Sequence, residues 1–187
     1  MDKNKITIIA IIFFVALLLH VILQERVVFG DVEQYVSSAK EFAGINNAKI
    51  NNPHSFVYPL FLAQFLKIFP SLLMIKIINV VWLVAIGILL YSYTKNLYSL
   101  LIWIFSPLIW YMSIFISPLL PVSFFILLSY IYFKKWESGK KLSNLIISAI
   151  SLGLSSTLWE GAILINLLFI IVFLYDKLLK YALAYTA

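Results

Sequence analysis

The sequence predicts an all-α integral membrane protein, with about six transmembrane helices and two amphipathic interfacial helices in the first outer loop. Three observations lead to this fold class. Of the 187 residues, 63% are hydrophobic and only 12% are charged, whereas a soluble domain carries about 25% charged residues. Apolar runs of helical length recur along the whole chain, and most charges fall between them. No water-soluble fold of this size can bury so much apolar surface, so the expected solvent is the membrane.

The first apolar run, from Ile6 to Leu23, is predicted to be a retained transmembrane helix. Its 18 residues are long enough for the roughly 30 Å hydrocarbon core of a bilayer. The run exceeds the usual apolar core of a signal peptide, and no small-x-small cleavage site follows it.

The next apolar run, from Phe56 to Phe69, is predicted to lie on the outer surface of the membrane. It is interrupted by Gln64 and Lys67 and closed by Pro70, so it is short for a span. Five later runs are predicted to cross the bilayer: Leu72–Tyr93, Leu97–Met112, Leu119–Phe133, Leu142–Leu158 and Ala162–Tyr175.

The lysines decide the orientation, because cytoplasmic loops carry an excess of basic residues. With Phe56–Phe69 at the surface, nine of the 14 basic residues face the cytoplasm, including Lys3, Lys5 and the Lys134–Lys141 cluster. We therefore expect a cytoplasmic N-terminus and an extracytoplasmic active face. The chain reads as a single membrane domain, 1–187: a first span (1–23), an outer loop (24–71), five further spans (72–175) and a cytoplasmic tail (176–187).

Composition disfavours two kinds of site: one built on cysteines and one that binds nucleic acid. The chain has no cysteine, so disulfides and thiolate metal sites are excluded. The net charge of +6 is scattered between apolar spans, which favours a role in orientation over a nucleic-acid surface. Nucleic acid is therefore not an expected partner.

The outer loop contains the most informative segment, DVEQYVSSAKEFA from Asp31 to Ala43. Its apolar residues recur at helical spacing, which predicts an amphipathic helix on the membrane surface, and Gly44 is a suitable stop. One interpretation of Asp31 is purely structural. Followed by Gln34, it fits a capping box, with Glu33 adding favourable charge at the helix N-terminus.

The motifs GDxxxYxxxA, after the first span, and NNPHSFVYPLFLA, about twenty residues later, resemble the GT-C superfamily of polytopic glycosyltransferases. That superfamily includes protein O-mannosyltransferases and aminoarabinose transferases. Asp31 and Glu33 correspond to the family's acidic motif, and Pro53-His54 with Tyr58-Pro59 to its proline elements. The likeness continues through Ser106–Tyr111, Lys134-Lys135 and Ser151–Ser156. It covers the conserved N-terminal module only, and the second outer loop, Ser113–Pro121, lacks the acid that many members carry there.

The resemblance implies transfer of a sugar from a polyprenyl-phosphate-linked donor to an acceptor at the outer membrane face. Asp31 is the expected general base. Glu33 ranks below it, because two residues along a helix point about 200° apart. The resemblance does not fix which cofactor, if any, is used. A divalent cation held by both carboxylates is one alternative, although two acids alone make a weak site.

Further residues are candidates for substrate contact. Cationic side chains would hold the donor phosphate, although snorkelling to the interface explains them equally well. The histidine, His54, lies in a loop and can simply be solvated. The acid, Glu160, can be an ordinary turn residue. Tyrosines at outer helix ends can form an interfacial belt. The candidates are Arg26, Tyr35, His54, Tyr58, Lys67, Lys76 and Glu160.

Three functional classes remain open at this stage. The first is the transferase, alone or completed by a second chain, with the lipid-linked donor and membrane lipids as partners. The second is a non-catalytic membrane subunit, or a truncated remnant, that keeps the fold or binds lipid. The third, a small transporter, is disfavoured because no charges or broken-helix repeats stand out within the predicted spans.

Overall fold

The computed structural model describes residues 3–24, 31–45 and 55–185, with side chains for 7–24, 31–45, 55–171 and 174–175. Every regular element in these ranges is an α-helix, which confirms the predicted all-α class for the described part of the chain. The helices are α1 (Lys3–Leu23), α2 (Asp31–Phe42), α3 (Val57–Leu66), α4 (Leu72–Thr94), α5 (Leu97–Phe105), α6 (Pro107–Ile114), α7 (Leu119–Gly139), α8 (Leu142–Leu158) and α9 (Ala162–Tyr185).

Two of the described helices, α4 and α7, are long and apolar enough to cross a membrane, and α5 with α6 makes a third if the pair is one span. These helices indicate a membrane protein. The other apolar helices are shorter over their described side chains, so the number of six spans stays a prediction. The 10-residue helix α3 is about 15 Å long, half the thickness of a hydrocarbon core.

The predicted run Leu97–Met112 is two helices that meet at Ser106 and bend by 56°. Ser106 has extended backbone angles, and Pro107 begins α6. Proline has no amide hydrogen, so it suits the first turn of a helix and interrupts one in the middle. The Trp110 Nε1–H donates to the Ile104 carbonyl at 2.9 Å. This hydrogen bond compensates a carbonyl that the break leaves without its helical partner.

Two apolar clusters hold the helices together. One joins α1, α4, α6 and α7 around Leu17, Leu83 and Ile109. The other joins α2 and α3 to α4, α7 and α8, with Tyr35, Leu62 and other side chains almost fully buried. Because α4 contributes to both clusters, it fixes α2 and α3 against the ends of the longer helices. We call this the α2 end of the bundle.

Helix α2 ends in a Schellman motif, as the position of Gly44 predicts. The Gly44 amide donates to the Glu41 carbonyl and the Ile45 amide to the Lys40 carbonyl, both at 2.9 Å. Gly44 has a φ of +73°, in the left-handed region that glycine adopts without steric cost.

Helices α7 and α8 form a tight hairpin and share the most extensive interface in the described structure. The hydroxyl groups of Ser129 and Ser148 lie 2.9 Å apart, and the Ser148 hydroxyl also contacts the Ser129 carbonyl at 2.9 Å. Helix α7 starts at the α2 end, and its 21 residues cover about 30 Å. The lysine-rich turn between α7 and α8 therefore lies at the opposite end of the bundle from α2.

Candidate functional site

A cavity of about 220 Å³ opens at the α2 end of the bundle, between α2, the segment before α7 and the turn after α8. It brings together side chains that are far apart in the sequence. Its walls are formed by Asp31, Val32, Tyr35, Phe115, Ile116, Ser117, Pro118, Leu119 and Trp159.

Helix α2 contributes the polar side of the cavity. Asp31 and Tyr35 are four residues apart, so they lie on the same face of the helix. Val32, Tyr35 and Val36 are buried against the neighbouring helices, whereas Asp31 is exposed at the rim. The apolar positions of the amphipathic pattern thus fix the helix and hold the carboxylate at the opening. Asp31 and Glu33 both lie in the first turn, where negative charge is favoured.

The opposite wall is the segment from Phe115 to Leu119, which two side-chain hydrogen bonds hold in place. The Asn79 Nδ2 group on α4 donates to the Phe115 carbonyl at 2.9 Å. The Leu119 amide donates to the Ser117 Oγ at 3.2 Å, so Ser117 caps the first turn of α7. Asn79 and Ser117 are both buried, and the wall is therefore tied to a long helix.

The third wall is the indole of Trp159, at the turn between α8 and α9. A methyl group built at Gly161 would lie 2.5 Å from two carbons of this indole. Any side chain at position 161 would therefore have to shift the ring from this position. The Ala162 amide donates to the Trp159 carbonyl at 3.0 Å, which holds the backbone of the turn.

Tyr35 has an unusual electrostatic environment. Its side chain is only 4% exposed, and burial raises the pKa of its hydroxyl, with further contributions from the charges of Asp31 and Glu160. Tyr35 therefore stays protonated at physiological pH and can donate a hydrogen bond. Glu160, an exposed residue beside Trp159, thus acts electrostatically on the same tyrosine as Asp31.

Tyr58 lies behind Tyr35 and not at the cavity surface. The two rings meet edge to face, with centroids 5.4 Å apart and planes at 83°. Tyr58 is 1% exposed, and its hydroxyl has no hydrogen-bond partner among the described residues. Burial, with a smaller contribution from Tyr35, raises the pKa of Tyr58. Tyr58 supports Tyr35 and does not touch the cavity.

The remaining predicted residues are not gathered around the cavity. Glu33 is exposed and is not among the described lining residues. Lys67 is exposed at the end of α3. Lys76, on α4, is only 7% exposed, and its Nζ donates to the Gln24 carbonyl at the end of α1 at 3.3 Å. Arg26 and His54 lie outside the described residues.

A metal centre has no support in the described part of the chain. No three described histidine, cysteine, aspartate or glutamate side chains lie close enough to hold an ion. The helical geometry also separates Glu33 from the cavity that Asp31 lines. A cation shared by these two carboxylates therefore stays a prediction without a geometric counterpart.

A second cavity, of about 210 Å³, lies beside the first and is lined almost wholly by apolar side chains. Its walls come from α3, α4, α7 and α8: Val57, Phe61, Trp82, Pro121, Phe125, Leu154, Thr157 and Leu158. The first turn of α7 and the end of α8 separate the two cavities, since Leu119 and Trp159 line one, and Pro121 and Leu158 line the other.

Sequence reasoning missed the wall formed by Phe115–Leu119. In the sequence this loop is distinguished by its lack of an acid. A signal was present, since Ser117-Pro118 before an apolar run is a typical helix start. The pairing of this segment with α2 is tertiary and has no local signature.

Comparison of the chain with protein-family models, with curated proteins and with solved structures finds no match.

Proposed function

We propose that the protein transfers a sugar from a polyprenyl-phosphate-linked donor to an acceptor at the outer face of the membrane, with Asp31 as general base. The observation that carries this proposal is the placement of Asp31 at the mouth of a cavity that also presents the Tyr35 and Trp159 side chains. A carboxylate at the opening can accept a proton, and an indole wall suits the apolar face of a sugar ring.

In the proposed reaction, an acceptor hydroxyl at the mouth of the cavity attacks the anomeric carbon of the donor sugar. The bond between that carbon and the phosphate oxygen breaks, and the electron pair leaves with the polyprenyl phosphate. Asp31 accepts the proton of the attacking hydroxyl. The protonated Tyr35 hydroxyl donates a hydrogen bond to a sugar oxygen. The atoms and charges balance without a further co-reactant.

A departing phosphate needs positive charge nearby, and for Lys76 this role stays a prediction, because it is not among the described residues that line the Asp31 cavity. It is largely buried on α4 and donates to a carbonyl at the end of α1. Among the described residues it has no carboxylate partner. Arg26 and Lys67 keep their expected roles in phosphate contact as predictions.

The membrane arrangement that goes with this function has six spans: α1, α4, the bent α5–α6 pair, α7, α8 and α9. Short turns join α4 to α5, α7 to α8 and α8 to α9, as antiparallel neighbours require. In this arrangement α2 and α3 lie at the outer surface, the lysine-rich turn after α7 faces the cytoplasm, and the cavity opens outward.

One observation favours the alternative, a non-catalytic membrane subunit or truncated remnant that keeps the fold or binds lipid. The described residues that line the Asp31 cavity include an acid but no cation. In this alternative, a second chain supplies the missing groups, or the cavity binds a ligand without reaction.

The two functions differ in a direct assay. Membranes that contain the protein, an acceptor extract and a radiolabelled polyprenyl-phosphate sugar should release polyprenyl phosphate faster than membranes without the protein. An equal rate in both would exclude transfer by this chain alone and leave the non-catalytic alternative.

A further inference from the structure

The end of α7 and the turn that follows it, at the end of the bundle opposite the Asp31 cavity, carry a group of lysines beside aromatic rings. We call the segment Lys134–Lys141, together with Tyr132, the basic turn. Helix α7 is one of the helices long and apolar enough to cross a membrane, so the basic turn lies where a spanning helix leaves the hydrocarbon.

Three ammonium groups of the basic turn lie over aromatic rings, the most distant being that of Lys134, whose Nζ is 6.0 Å from the centroid of Tyr130. The Lys135 Nζ is 4.6 Å from the centroid of Tyr132, and the Lys140 Nζ is 4.4 Å from the centroid of Trp136. Both distances are within the range for a cation–π interaction. Tyrosine and tryptophan favour the membrane–water interface, so each ring holds its ammonium at the level of the lipid headgroups.

The backbone of the turn places a lysine where glycine is expected. Lys140 caps α7 with a φ of 52°, in the left-handed region where side chains are disfavoured. Gly139, the residue before it, lies in α7, so the residue in the left-handed conformation is the lysine and not the glycine. This strained conformation occurs at the lysine whose ammonium, one of four in the basic turn, lies over the Trp136 ring.

Among the described residues, only one carboxylate pairs with any of the four lysines of the basic turn. Lys134 pairs with Glu137 at 2.7 Å. Lys135, Lys140 and Lys141 are exposed, and they form no ion pair with a carboxylate in the part of the chain that the structure describes. Three exposed ammonium groups without a described carboxylate partner lie on one hairpin and form a surface suited to a phosphate.

We propose that the basic turn binds the headgroups of anionic phospholipids, with Lys135 and Lys140 as the main contacts. The phosphate of a lipid beside α7 accepts hydrogen bonds from these two ammoniums, and the apolar surface of α7 and α8 contacts its acyl chains. The exposed side chains of Leu142 and Ile146 at the start of α8 provide that surface. This proposal does not depend on the transferase activity.

The test uses native mass spectrometry of the full-length protein in detergent, titrated with phosphatidylglycerol or with phosphatidylcholine. We expect the wild-type protein to retain phosphatidylglycerol in preference to phosphatidylcholine. The double variant Lys135→Gln/Lys140→Gln should lose this preference by about tenfold or more, because each lysine at an anionic membrane surface contributes to binding. Lys135→Arg/Lys140→Arg keeps the charge and the stacking, so it should retain the preference.

The matched control is Lys40→Gln, compared with the single variant Lys140→Gln: it removes the same charge from the α2 end of the protein and should bind phosphatidylglycerol as the wild type does. An equal loss in this control would mean that net charge alone governs binding and would overturn the proposal. So would a wild-type protein with no preference, or a Lys135→Gln/Lys140→Gln variant that keeps it. If the glutamine variant fails to fold, the wild-type preference must still fall as salt is raised, and a salt-independent preference would contradict the proposal.

Discussion

Asp31 and Tyr35 lie one helical turn apart on α2 and line the same cavity, and the Asp31 charge adds to burial in raising the pKa of the Tyr35 hydroxyl. The pair therefore presents a proton acceptor and a protonated hydroxyl to one ligand. Since α2 is fixed by its buried apolar face, the geometry of the pair is set by the fold.

The raised pKa of Tyr35 predicts a loss of stability at alkaline pH. In the unfolded chain a tyrosine ionises near pH 10.0, while the buried residue still holds its proton. Stability is therefore complete below pH 10 and falls as pH rises above it. Tyr58, whose pKa burial raises in the same direction, adds to the fall.

Denaturant unfolding in detergent at pH 8 and at pH 11 measures this effect. The free energy of unfolding should fall less between these pH values in Tyr35→Phe than in the wild type. Tyr98→Phe, at a side chain that is 74% exposed, is the control and should fall as the wild type does. A Tyr35→Phe variant with an unchanged pH dependence would be inconsistent with the environment assigned to Tyr35.

Gly161→Ala should damage the cavity, because the added methyl group meets the Trp159 ring at 2.5 Å. We expect a destabilisation of about 1–3 kcal/mol, the usual cost of overpacking, together with a changed Trp159 fluorescence. The control is Gly153→Ala on α8, where an added Cβ meets nothing within 4 Å. It should be stabilising by up to about 1 kcal/mol, since alanine favours helix over glycine. Equal effects of the two changes would show that Trp159 does not pack as described.

The substitution Tyr58→Phe tests whether Tyr58 only supports Tyr35 or also contacts the substrate. The Tyr58 hydroxyl is buried without a described partner, so its removal should be neutral or stabilising by about 1 kcal/mol, and thermal unfolding measures this. The ring contact with Tyr35 is kept, so activity should be kept as well. A large loss of activity with unchanged stability would assign Tyr58 to the substrate.

The six-span topology predicts that cysteines at Ser138 and Asn47 lie on opposite sides of the membrane. The natural chain has no cysteine, so each single variant carries one reactive thiol without background. An impermeant thiol reagent applied to intact cells should label Asn47→Cys and spare Ser138→Cys until the membrane is opened. Labelling of both in intact cells would contradict this topology.

Much of the fold could be predicted because apolar periodicity and helix stops are local. Helix α8 has the predicted bounds, Leu142–Leu158, and α4 extends one residue past its predicted end, Tyr93. The break at Ser106 was not predicted, although Pro107 marks it, because the apolar run continues across it. Helix α7 continues past Phe133 into the lysine-rich segment, since lysines and glutamate are good helix formers whose charges reach solvent from a helix end.

The candidate site was predictable only in its α2 half. Asp31 and Tyr35 are marked by a motif and by helical spacing, so their common face follows from sequence. The Asn79 contact with Phe115, and the position of Trp159 opposite α2, join segments far apart in the chain. Such pairings depend on how whole helices pack, and no local pattern encodes them.

We propose that Asp31 is a general base and not only a favourable charge at the start of α2. The substitutions Asp31→Asn and Glu33→Gln remove the same charge from the same helical turn, but only Asp31 lines the cavity. The deciding measurement is the rate of polyprenyl phosphate release in membranes that contain equal amounts of each inserted variant. Our account predicts that Asp31→Asn lowers the rate by about 10²–10⁴-fold, the usual contribution of a general base, while Glu33→Gln stays near the wild-type rate. Full activity in Asp31→Asn, or equal losses in both variants, would contradict it.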